Sequence, residues 1–275
     1  MQYPARQTGM MDAQIQGIGL FGPGLSGWDA AGPVLQGAVA FEMTDVVVPP
    51  PQALAPRERR RTSGGVRLAL AAAGEAVAAA QADPKDLPAV FGWAHGDIAV
   101  AQKILIELAT HERYVSPTDF HNSVHNVAAG YWAIATGSHQ HGSSVAAARD
   151  TFPASLLKAM AQVHCEERAV LLVVCDLPCP APLDSVCHVD APFGFAMVLA
   201  PADGCTGLAR ISVGYHNAAA KAETGPRVAE LRELAELNSA ARALPLLEHL
   251  ARRESAPLQV PYGPQARLDL ELQCC

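Results

Sequence analysis

The stretch AVLLVVC at 169–175 carries no charged or hydrogen-bonding side chain other than a thiol. A strand can be apolar at every residue only if both of its faces are covered, so this run predicts a central strand with a packed layer on each side. Just upstream, Gly142–Ala147 (GSSVAA) predicts a short buried strand, and a helix over 151–163 follows with only three residues between. Asp150 or Thr151 can cap that helix, and Pro153 is tolerated because it falls in the first turn. Phe152, Ala154, Leu156, Leu157, Ala159, Met160 and Val163 lie around most of its circumference, so it too needs cover all round. Either the charged helical region at 226–252 folds back over it, or another subunit does; we expect each to cover it in part.

The rest of the chain alternates in the same way. Gln14–Leu20 (QIQGIGL) reads as a first strand and Trp28–Gln36 as a short helix. Val66, Leu70, Ala73 and Val77 fall on one face of a helix over 66–81. Ala89–Trp93 is a strand, Ile98–Thr110 a helix, and Asn122–Ala135 another helix with Val124, Val127, Ala128, Tyr131 and Ile134 on one stripe. Phe193–Leu199 and Ala209–Tyr215 read as a hairpin around DGCTG, 226–252 as amphipathic helix broken near Pro245, and Ala266–Leu272 as a last strand. Strands alternating with helices and ending in a hairpin imply a layered α/β fold.

With 20 basic and 27 acidic residues the net charge is −7, which gives the chain no general attraction for nucleic acid. The start, MQYPARQTGMMDAQ, lacks the apolar core of a signal peptide, and no apolar run reaches the ~18 residues of a membrane span. Seven cysteines, an odd count, at 165, 175, 179, 187, 205, 274 and 275 argue for reduced thiols in the cytoplasm, with the last two in a disordered end.

The block FHNSVHNVAAGYWAIATGSHQHGSSVAAARD, residues 120–150, resembles the stretch of β-ketoacyl synthases that leads into the nucleophile elbow. Asn126, Ala129, Gly130 and Gly137 sit where that stretch has comparable residues; RERRRTS before the first long helix and LLKAM after the elbow also fit. The chain is more closely similar to the short chain-length-factor-like proteins of aryl-polyene and related pigment clusters. The resemblance implies a thiolase-like half-fold over residues 12–215, a mixed and mainly parallel sheet packed between helices, with residues 216–275 as a C-terminal helical extension and final strand.

Counting without gaps from Gly137, the family's nucleophilic cysteine falls on Arg149; a shift of one residue puts Ala148 there. Neither side chain can attack a thioester. Guanidinium stays protonated, offers five donors and has no lone pair. At a helix N-terminus it is also disfavoured by a few tenths to ~1 kcal/mol, so a carboxylate such as Asp150 is expected to offset it. Ketosynthases further draw two histidines and a lysine from a C-terminal half that residues 216–275 are too few to build. The resemblance therefore implies a catalytically incompetent subunit, partnered with an active ketosynthase, and with acyl carrier protein, in fatty-acid-like or aryl-polyene assembly as a homo- or hetero-oligomer. No catalytic residue, cofactor or metal is expected. The alternative is an enzyme, an acyltransferase or decarboxylase in which Arg149 clamps a carboxylate and His125 or His139 moves a proton.

His121, His125, Asn126 and His139 are candidate pocket residues. A zinc reading of His121, His125, His139 and His141 fails for want of an H-E-x-x-H pattern or nearby cysteines. Cys175, Cys179 and Cys187-His188 read as inert thiols. Ser143 and Ser144 lack a G-x-S-x-G context, and GIGLFGPG lacks the third spaced glycine of a dinucleotide loop. Arg57, Arg59, Arg60 and Arg61 form the dense basic cluster, a candidate dock for an acidic carrier protein or an ion-paired helix entry.

Overall fold

Every residue of Val170–Asp176 is buried, and this strand, β5, lies inside a sheet flanked by helices on both faces. The computed structural model describes residues 9–202, 204, 206–220 and 223–275. Residues 1–8, read as free of a leader, and Cys205, read as a reduced thiol, lie outside them.

The strands are β1 (Met10–Gly22), β2 (Leu25–Ser26), β3 (Ala89–Gly92), β4 (Gly142–Val145), β5, β6 (Phe193–Ala200), β7 (Ala209–His216), β8 (Ala256–Pro261) and β9 (Arg267–Cys274). The helices are α1 (Trp28–Leu35), α2 (Pro56–Arg59), α3 (Gly64–Ala79), α4 (Ile98–Ala109), α5 (Pro117–Asn122), α6 (Val127–Thr136), α7 (Thr151–Glu166), α8 (Asp184–Cys187), α9 (Ala229–Leu237) and α10 (Leu244–Arg252). The described strands form one sheet in the order β4-β3-β5-β6-β1-β7-β9-β8, with β2 against β1.

The sheet is mixed, as expected, but parallel pairing is confined to β3 with β4 and β3 with β5. The other pairings are antiparallel. The expected hairpin of β6 and β7 does not form. β1 lies between them and pairs with both, its inner residues buried on each side. β1 can do this because α3 rides directly on its glycines: a Cβ on Gly17 or Gly19 would come within 2.2 or 2.1 Å of the carbonyl oxygens of Ala76 and Ala72.

One core lies between the sheet and α3 and α6; the other gathers α1, α7, α10 and the turn Ala240–Ala243. α7 is thus covered within the chain, where Ala240–Ala243 packs on it, so the fold-back expected of the C-terminal region is the cover it uses. That region breaks at Asn238–Ser239 and not at Pro245. The Asn238 side chain accepts from the N–H groups of Ala240 (2.8 Å) and Ala241 (3.3 Å), starting a new turn, while Pro245 sits in the first turn of α10. It also contributes β8, which the sequence did not suggest.

Two further expectations are corrected. The helix over 122–135 is two: Asn122 ends α5, Ser123 Oγ donates back to the Phe120 carbonyl (2.8 Å), and α6 starts at Val127. Val124 and Ile134 are exposed, so the stripe is not continuous. β4 is not buried; it is the edge strand, paired on one side only, with half-exposed residues. The C-terminal end is ordered through β9, which corrects the reading of a disordered end; Cys275 is disulfide-bonded, which corrects its reading as a reduced thiol, while Cys274 is free as expected.

Candidate functional site at the elbow

β4 ends at Val145, and the chain turns into α7 through Ala147, Ala148, Arg149 and Asp150. Ala147 has φ −149° and ψ 36°, and Ala148 has φ 46°, the left-handed region that a residue with a Cβ rarely adopts. The sharp bend therefore falls on Ala148, and Arg149 follows it. Thr151 holds the bend from below: its hydroxyl donates to the Ala148 carbonyl (2.7 Å) and accepts from the Ala147 N–H (3.1 Å). Strain of this kind persists where the surrounding structure over-determines it.

Asp150 precedes α7 but caps nothing with its side chain. One carboxylate oxygen accepts from the Arg242 guanidinium (3.0 Å), the other from the Gly263 N–H (3.0 Å). Arg242 is nearly fully buried. It also donates to the carbonyls of Arg149 (2.9 Å) and Pro261 (2.9 Å) and to Glu223 (3.2 Å). So Asp150 does not offset Arg149, as had been expected; it anchors the elbow to the C-terminal region. Arg149 itself is exposed and forms no ion pair among the described residues.

Ala148 and Arg149 open onto a cavity of about 260 Å³ that is also lined by Ala94, His95, Cys187 and Ser239. Asp176, at the end of β5, braces its floor. It accepts from the Ala94 N–H (2.8 Å) and the Ser239 hydroxyl, and burial pushes its carboxyl up to about 6. His95 Nε2 contacts the Cys187 carbonyl at 3.2 Å.

The four candidate pocket residues do not line this cavity. His125 Nε2 lies 2.7 Å from the Trp93 carbonyl and ties the α5–α6 break to β3. His121 is exposed and packs edge-on against Tyr131 at 5.5 Å. Asn126 and His139 are exposed, the former at a shallow depression beside β4. His95, His188 and Arg242 were missed, because no local spacing signals a residue brought in from another loop; a lone arginine within the apolar run LNSAARALPLL was the one available hint for Arg242. Of the basic cluster, Arg59 donates to the carbonyls of Gln52 (3.2 Å) and Leu54 (3.0 Å), and Arg61 lies 3.7 Å from Glu58. Arg57 and Arg60 remain exposed. Among the described residues no group of three or more His, Cys, Asp or Glu could hold a metal ion. No described helix is long and apolar enough to cross a membrane.

Residues 37–256 match the family described as beta-ketoacyl synthase, N-terminal domain. The chain belongs to that family. Its fold is similar to a chain of the complex of the ketosynthase ApeO with its chain length factor ApeC from Xenorhabdus doucetiae, with TM-score 0.70, 23% identity, and coverage of 95% of this chain and 99% of that one. It is similar to the ishigamide ketosynthase/chain length factor, with TM-score 0.72, 14% identity, and coverage of 96% and 99%. A third similar structure is the type II polyketide synthase ketosynthase AntDE with its acyl carrier protein AntF, with TM-score 0.73, 10% identity, and coverage of 96% and 99%. No curated protein matches the sequence. This β-ketoacyl synthase family member thus has the thiolase-like fold, and its elbow carries alanine and arginine at the bend.

Proposed function

We propose that this family member is a ketosynthase-like subunit without a nucleophile of its own, acting as a chain-length-factor-like partner of an active ketosynthase in fatty-acid-like or aryl-polyene assembly in the cytoplasm. The observation that carries the reading is the bend at Ala148: the backbone turn is kept, but the residue it projects has no atom that can attack a thioester. A second feature supports the pairing. Nine of the twelve residues of α4 are apolar, yet none is buried. Leu105, Ile106 and Phe120 are 58%, 58% and 66% exposed. This apolar surface and the open edge of β4 suit a protein partner. α7, already covered, does not serve as that surface. Arg57 and Arg60 are free to attract an acidic carrier protein.

The enzyme reading retains one supporting feature, an unpaired Arg149 beside His95 in the elbow cavity. One experiment separates the two. The chain is incubated with malonyl- and acyl-carrier protein, alone and with an active ketosynthase, and products and intact masses are followed. No product without the synthase, and a change in product length with it, supports the pairing. Product from the chain alone that Arg149→Ala abolishes would instead establish the enzyme. Ala148→Cys is expected to gain an elbow-bound acyl group that wild type lacks.

A further inference from the structure

The elbow cavity has a second chamber beside it. The inner one, of about 260 Å³, is walled by Ala94, Val186, Val189 and Ala235, and Ala148 offers it only a methyl group at the bend. The outer one, of about 200 Å³, lies between α9 and residues 223–226 and carries Arg232 and Glu236. Arg149 lies on the boundary and lines both. Its guanidinium forms no ion pair among the described residues. The neighbouring carboxylates are committed elsewhere. Asp150 accepts from Arg242 and the Gly263 N–H, and Glu223 accepts from Arg242. Glu236 stands one helical turn from Arg232, whose Nε donates to the Pro226 carbonyl (2.8 Å). We propose that the elbow cavity binds a short-chain apolar carboxylic acid as its anion, with the carboxylate on Arg149 and the hydrocarbon tail in the inner chamber.

Charge and size both select this ligand. Arg149 sits just ahead of α7, a helix of 16 residues, whose dipole disfavours a cation at that end and favours an anion. A bound carboxylate relieves the first and gains the second. Guanidinium also presents paired N–H donors that match the two carboxylate oxygens. The apolar walls then take the tail, each buried methylene adding to the affinity. At ~30 Å³ per water-sized group the inner chamber takes roughly eight, the number of non-hydrogen atoms in hexanoate. The site rests on, and deepens, the reading of an elbow without a nucleophile: with no atom to attack a thioester, the elbow holds the free acid that thioester hydrolysis releases.

The test titrates hexanoate into the full chain by calorimetry, with acetate and hexanamide as probes that lack the tail and the charge. Hexanoate should bind at least about tenfold more tightly than either. Arg149→Gln, at an exposed position, should unfold at the wild-type temperature and weaken hexanoate about tenfold or more; Arg149→Lys, which keeps the charge without the paired donors, should fall between. Cys187 is half-exposed and lines the inner chamber, so saturating hexanoate should slow its alkylation by iodoacetamide about tenfold. Exposed Cys165, at the other end of α7, should react as before. No binding of hexanoate, equal binding of hexanamide, unchanged binding to Arg149→Gln, or an unprotected Cys187 would each overturn the proposal. Acyl transfer by the chain alone in the carrier-protein assay would instead refute the unreactive elbow while leaving this titration as it is, so the two can fail separately.

Discussion

Asp176 offers the sharpest test of how the elbow floor is built. Its carboxyl is 2% exposed and its pKa is raised from 3.8 to about 6, chiefly by burial, against the opposing hydrogen bonds from Ser239, Ala94 and Ala240. An acid whose folded-state value lies above its unfolded one stabilises the fold fully below the unfolded value and loses that contribution as pH rises through the folded value. At 1.36 kcal/mol per unit the whole effect is about 3 kcal/mol, and about 2 kcal/mol of it falls between roughly pH 4.5 and 7.5. Asp176→Asn mimics the protonated acid: its oxygen accepts from Ala94, its amide donates to the Ser239 hydroxyl, and Ala240 keeps its bond to Asn238. Urea unfolding of both proteins across that range should show the stability of the variant relative to wild type rising by about 2 kcal/mol toward the upper end. The difference cancels other raised acids such as Glu75 and Glu248. Parallel curves would refute the assignment.

Three other outcomes follow from the same geometry. Ala148→Gly should raise stability by up to about 1 kcal/mol in thermal unfolding, since glycine takes φ 46° without strain; a loss would show that the bend is not held left-handed. Arg242→Met leaves Asp150 and two carbonyls without their donor and should lower stability by about 3 kcal/mol, read by urea unfolding. Leu105→Asp with Ile106→Lys should change stability by less than about 0.5 kcal/mol each while abolishing co-purification with the ketosynthase; retained binding would move the partner surface elsewhere.

Local chemistry wrote much of this protein openly. AVLLVVC could only be a doubly covered strand, and Val66, Leu70, Ala73 and Val77 could only mark one face of a helix. That positions 148 and 149 carry no attacking atom was readable for the same reason, because which atoms a side chain carries does not depend on where the chain goes. Long-range placement was not readable. β1 displaces the β6–β7 hairpin because its glycines admit α3, a steric fit that exists only once helix and strand meet. The cavity takes His95, Cys187 and Ser239 from three separate segments, and Arg242 reaches Asp150 across 92 residues, so no spacing along the chain encodes them. The place of the bend also waited on the backbone, since the left-handed dihedral falls on Ala148 and the Thr151 hydroxyl holds its carbonyl. Composition and period set which elements exist; packing and the pairing of buried polar groups decide which of them touch.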